Sequence, residues 1–71
     1  MREELTQFLR RVPFVPFVVT TRDGQVCAIE TVERMSVGKN ACTIVNAEGI
    51  ILYVPFHAID HVSMRDAPAG A

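Results

Sequence analysis

The chain has 71 residues, room for one domain, and a domain of that size buries only about 60% of its unfolded surface on folding. Apolar residues make up 49% and charged residues only 21%, more apolar surface than a small monomer can hide, so association with further copies is the expected supplement to the core. Seven basic residues against eight acidic ones give a net charge of −1, which excludes a generally cationic protein that coats nucleic acid and leaves room for a local basic patch.

A short amphipathic helix is predicted over residues 3–11. Leu5, Phe8, Leu9 and Val12 fall on one face of a 3.6-residue period. Glu3 and Glu4 stand at its start and Arg10 and Arg11 at its end, as the helix dipole favours. Pro13 stops it. A helix this short is marginal alone in water, so its apolar face is expected to lie on a sheet.

Beyond Pro16, β-branched and aromatic residues take over. Strands are predicted at 17–22 and 25–32, with the tight-turn dipeptide Asp23-Gly24 between them. Gly38-Lys39-Asn40 marks another turn, followed by a strand at 41–46. Glu48-Gly49 then turns into 50–54, the most hydrophobic strand, and Pro55 interrupts it because proline cannot donate to a ladder. A last strand follows at 58–62. The domain spans 1–63, and 64–71, with Pro68, Gly70 and several alanines, reads as a flexible tail. One helix followed by five short strands makes a mainly β domain, a strongly bent five-stranded barrel of the Sm-like or SH3-like kind.

The charged start Met1-Arg2-Glu3-Glu4 precedes no apolar signal segment. The longest apolar runs, 12–19 and 49–56, are about eight residues each, against the roughly 20 that a bilayer requires. The expected setting is cytoplasmic, with no membrane partner. Cys27 and Cys42 each lie inside an apolar stretch and read as free, buried thiols.

Enzyme signatures are missing. There is no Gly-rich phosphate loop, no Gly-x-Ser-x-Gly elbow and no His-Glu-x-x-His. A chain this small also offers little volume for a substrate pocket, so no catalysis, cofactor or small-molecule substrate is expected. Cys27, Cys42, His57 and His61 include two of each zinc-ligand type. Their spacing does not suit a metal: the cysteines fall on different strands, and two histidines four residues apart in extended chain stand about 13 Å apart. What remains is the stretch 55–62, where a histidine and an aromatic fall at a break between two strands. Imidazole and phenyl rings there can stack on bases while nearby cations neutralise phosphates. Equally, His57 could simply satisfy a turn carbonyl while Phe56 caps the barrel end.

The order of elements adds to this. A helix ending in Leu9-Arg10-Arg11 is followed by a strand, Asp23-Gly24, a strand containing Ala28-Ile29-Glu30, and finally His57-Ala58-Ile59. This resembles the Sm-like fold and, within it, the bacterial RNA-chaperone family Hfq, over about residues 5–63. That family has an Arg-rich helix end, an Asn-Gly or Asp-Gly first turn and a last motif reading Tyr-Lys-His-Ala-Ile. The opening Pro13-Phe14-Val15-Pro16-Phe17 also resembles a group of small bacterial proteins that begin Pro-Phe-x-Pro-Phe.

The Sm-like resemblance implies a homo-oligomeric ring that binds single-stranded RNA. His57 matches the family histidine lining the inner RNA site. Arg10 and Arg11 match the basic rim, and Arg34 falls near a polar ring-facing position. Phe56 stands where the family has a lysine, and Lys39 joins the candidates as the cation of the central turn. Ala28 replaces the glycine at which the family's second strand bends, and the middle of the chain is longer. A second reading stays open beside the ring: an SH3-like barrel that serves protein assembly with no nucleic acid. The net charge of −1 and Phe56 in place of a cation favour it.

Overall fold

A computed structural model describes residues 1–64. It is mainly β, with one N-terminal helix and six strands arranged as two three-stranded antiparallel sheets. Helix α1 (Arg2–Leu9) is followed by β1 (Phe17–Thr21), β2 (Val26–Ile29), β3 (Met35–Val37), β4 (Ala41–Val45), β5 (Ile51–Pro55) and β6 (Ile59–Met64). Two short 3-10 turns, Val32–Arg34 and Phe56–Ala58, precede β3 and β6. One sheet runs β2-β1-β6 and the other β3-β4-β5.

The helix is shorter than its apolar period suggests. Arg10 already closes it, its backbone N–H donating to the Thr6 and Gln7 carbonyls at 3.0 and 3.2 Å. Proline disfavours helical geometry in the residue before it, so Val12 cannot continue the helix. Val12 is consequently 95% exposed instead of joining the apolar face. Leu5 is fully buried, and Phe8 lies 4.9 Å from the ring of Phe17, with Phe14 at 6.0 Å on another side. The helix is therefore held by packing on β1 and β3, as an eight-residue helix must be.

Both sheets turn their buried faces to one core, made of Leu5, Phe17, Val19, Ile29, Met35, Cys42, Ile44, Val54 and Ile59. The alternation is clearest in β1, where Phe17, Val19 and Thr21 point inward, and in β4, where Cys42 and Ile44 do. Six strands replace the five expected. The second strand stops at Ile29 rather than continuing to 32, and the chain crosses through the Val32–Arg34 turn to the other sheet. There Met35 is buried and pairs with Ile44, a strand only three residues long. The strand hydrogen bonds among the described residues form two sheets rather than a closed ring of strands. At the far end, β6 reaches Met64, which pairs with Phe17. The strand thus runs two residues past the expected 62, and residues 65–71 of the stretch read as a tail lie outside the described residues.

Two hairpins share one loop design. Between β1 and β2, Thr21 N–H donates to the Gln25 carbonyl at 2.9 Å, Gly24 N–H donates to the Thr21 carbonyl at 3.0 Å, and Gly24 has φ +93°. Between β4 and β5, Asn46 N–H donates to the Ile50 carbonyl at 3.0 Å, Gly49 N–H donates to the Asn46 carbonyl at 2.9 Å, and Gly49 has φ +84°. A type I turn closed by a left-handed residue needs glycine there, which is what Asp23-Gly24 and Glu48-Gly49 supply. The first loop residue braces each from its side chain. Thr21 Oγ1 accepts the Gln25 N–H at 3.0 Å, and Asn46 Oδ1 accepts the N–H groups of Glu48 and Ile50 at 2.9 and 3.0 Å.

Cys27 on β2 and Cys42 on β4 are free thiols, but only Cys42 is fully buried. Burial raises both pKa values above the ordinary thiol range, helped at Cys27 by the Asp23 carboxylate and at Cys42 by the other thiol. The thiolate is the reactive form, so both react slowly. A maleimide at neutral pH is expected to modify Cys27 first, more slowly than free cysteine, and Cys42 only in denaturant. Equal, rapid labelling of both in native buffer would contradict this packing.

Candidate nucleic-acid interface

The His57 turn is built by the residue before it. Pro55 ends β5 with φ −63° and ψ 145°, and the chain then tightens into the Phe56–Ala58 turn. That turn is tied on two sides. Phe56 N–H donates to the Asn40 carbonyl at 3.0 Å, which fixes it to the β3–β4 turn carrying Lys39. Arg22, in the β1–β2 loop, donates its backbone N–H to the Ala58 carbonyl at 2.8 Å and its Nε–H to the His57 carbonyl at 2.7 Å. Three segments distant in sequence therefore meet, with the imidazole of His57 exposed among them. Just beyond, the β1–β6 register slips between Thr20 and Thr21, leaving Asp60 as the extra residue of a bulge.

A groove of about 400 Å³ opens at this junction, lined by Arg22, Asp23, Tyr53 and His57 among others. The Asp23 carboxyl is held below its usual pKa, chiefly by the hydroxyl of Thr21, with backbone N–H groups assisting against slight desolvation. The groove thus presents a guanidinium, an imidazole, a phenol ring and a fixed carboxylate. Such a set can hydrogen-bond a planar polar group and stack on it.

The six residues singled out in the sequence do not form one patch. His57, Phe56 and Lys39 belong to the joined turns, although Phe56 is half-buried and packs against the core, leaving only part of its ring free. Arg11 stands by the start of β1 and Arg10 closes α1 beside Thr6 and Gln7, whereas Arg22 follows the end of β1, about one strand length of 13 Å from its start. The guanidinium of Arg11 lies 5.1 Å over the Phe8 ring and approaches the Met64 sulfur at 3.0 Å. Arg34 is half-buried and donates from Nη1 to the carbonyls of Asn46 at 2.7 Å and Val45 at 3.4 Å, bracing the β4–β5 loop. It also lines a separate recess of about 460 Å³ with Cys27, Ile44 and Leu52.

Sequence reasoning passed over Arg22 and Tyr53. A cation directly before Asp23-Gly24 was the available signal for the first. For the second it was a lone aromatic on the outward register of the most apolar strand. His61 Nδ1 sits 2.7 Å from Asp60 Oδ2 at the surface, away from both cysteine strands. Among the described residues, no three His, Cys, Asp or Glu side chains gather closely enough to hold a metal. No helix among them is long and apolar enough to cross a membrane. Comparison with protein-family models, curated proteins and solved structures finds no match for the chain.

Proposed function

We propose that the chain is a non-enzymatic, homo-oligomeric Sm-like protein that binds single-stranded RNA through the face carrying His57. The observation that carries this reading is the hydrogen-bonded meeting of the Lys39 turn, the His57 turn and the Arg22 loop. It sets Arg22 and His57 around one groove and Lys39 in the groove next to it, in a chain whose net charge is −1. The element order supports it: a helix, strands in two three-stranded sheets, a 3-10 turn directly before the last strand, and that strand returning to β1. If β2 and β3 are the two halves of one strand broken at the Val32–Arg34 turn, the count becomes the five of a strongly bent Sm-like barrel.

Assembly supplies what one protomer lacks. Among the described residues, strands β5 and β6 each pair on one side only, so each offers a row of backbone groups to another copy. Repetition around a ring would multiply His57, Lys39 and Arg22, and bring Arg10 and Arg11 of each copy into a basic rim. The competing reading, an SH3-like barrel for protein assembly alone, is favoured by one observation: Ile51 and Tyr53 on β5 are both exposed, at 68% and 71%.

Size-exclusion chromatography with light scattering, followed by a gel-shift titration with A-rich and U-rich RNA at two salt concentrations, tests the proposal. A multimer is expected, binding RNA weakly at physiological salt, in the range of about 10⁻⁴–10⁻⁶ M, and more tightly at low salt. Arg10→Ala with Arg11→Ala should flatten the salt dependence, because those side chains would meet phosphate. His57→Ala should weaken binding with little change of slope, since the ring contributes stacking. No shift of any single-stranded RNA at low salt would leave the protein-assembly reading in its place.

A further inference from the structure

Tyr53 is an aromatic ring on the exposed face of strand β5. The strand alternates, with Val54 buried and Tyr53 71% exposed, and its cross-strand partner on β4 is the small Thr43. The ring is also a dividing wall. On one side lies the groove with Arg22, Asp23 and His57, and on the other a groove of about 380 Å³ lined by Lys39, Asn40, Ser36 and Thr43.

The two grooves differ in chemistry. The Lys39 groove holds a cation, hydroxyls and a carboxamide, with no carboxylate in its lining. The Arg22 groove holds a cation beside the Asp23 carboxylate. A phosphate is attracted to the first and repelled by Asp23 in the second. The polar edge of a base carries both N–H donors and carbonyl or ring-nitrogen acceptors, so it suits the mixed set of the second. Between them, an exposed phenol ring is a platform on which any base can stack.

We infer that Tyr53 is the base-stacking platform of the RNA site, with the backbone phosphate on the Lys39 side and the base edge facing Arg22 and Asp23. This rests on the RNA reading above and gives it a position and a polarity. The protein carries its own reporter, because it contains one tyrosine and no tryptophan, so its intrinsic emission reads Tyr53 alone.

The test titrates the full-length chain at low salt with A-rich and U-rich oligoribonucleotides, following tyrosine emission and gel shift in the same samples. Emission is expected to be quenched in proportion to the shifted fraction. Tyr53→Phe should keep affinity within about twofold, and Tyr53→Leu should lose about 5- to 150-fold, the span measured for losing one stacked base. Lys39→Ala should lower the salt slope by about 0.7, one phosphate on a single strand. Circular dichroism and light scattering on the variants separate lost stacking from lost folding, and quenching of the unmodified chain needs no variant. RNA that shifts the protein while tyrosine emission stays constant overturns the inference and leaves the RNA reading standing. Emission shielded from acrylamide in the RNA-free assembly overturns it too, since the platform would then be covered. No shift at all removes the RNA reading, and the platform with it.

Discussion

Phe17→Ala is expected to leave the domain unfolded in native buffer at room temperature. Phe17 is fully buried at the start of β1, with the rings of Phe8 and Phe14 against it at 4.9 and 6.0 Å. It therefore joins α1, the connection after it and the central strand of one sheet. Truncating a buried phenylalanine costs about 3–5 kcal/mol. A single core in a chain below about 70–80 residues rarely supplies more than about 3–5 kcal/mol in all. The loss equals the whole stability. Far-ultraviolet circular dichroism of Phe17→Ala should show no cooperative thermal transition, while Phe17→Leu, which keeps most of the volume, should show one at lower temperature. A transition of Phe17→Ala close to that of the unmodified chain would mean that the helix does not depend on this contact.

Ile51→Lys is expected to reduce the assembled mass to that of a monomer while leaving the protomer folded. Ile51 is 68% exposed on β5, which among the described residues pairs with β4 alone. In an isolated protomer the substitution is a surface change, within about 0.5 kcal/mol. At a strand edge joined to another copy, it sets a charge of the same sign in every interface, the device by which natural sheets prevent edge pairing. Light scattering at micromolar concentration decides between them. An unmodified chain that is already monomeric would remove the ring, and an unchanged mass for Ile51→Lys would move the interface to another edge.

Local chemistry was the legible part of the fold. Asp23-Gly24 and Glu48-Gly49 announced two hairpins, because a left-handed backbone position demands glycine whatever surrounds it. The turn signals around 41–46 and the apolar run of 50–54 announced β4 and β5, each within one residue of its observed bounds. Strand β3 was hidden, since Met35-Ser36-Val37 holds a single period of alternation. What makes it a strand is its pairing with β4. The helix end was overread for a related reason: Val12 fits the apolar period, and the geometry imposed by Pro13 overrides that fit.

The site was legible only where one segment carried it. His57 stood out beside Pro55 at a strand break. Arg22 and Tyr53 gained their meaning from three loops meeting in space, which no local pattern encodes. Arg34 was expected near a polar ring-facing position, yet its guanidinium donates to the carbonyls of Val45 at the end of β4 and Asn46 just after it, eleven and twelve residues away.

The return of β6 to β1 sets the order in which the chain can assemble. Each of the two matching hairpins closes across a loop of three residues, a local event on the microsecond scale. Pairing Phe17 with Met64 instead joins the first strand to the last, and the entropy of closing so long a loop exceeds that of a hairpin by about 2 kcal/mol. Synthesis runs from the N-terminus, so β1 and β2 are free to pair before β6 is, and in that interval β1 has β2 on one flank and nothing on the other. Throughout that interval the open flank of β1 can accept a strand from another chain. That flank is open to mispairing until β6, through Met64, is free to close it.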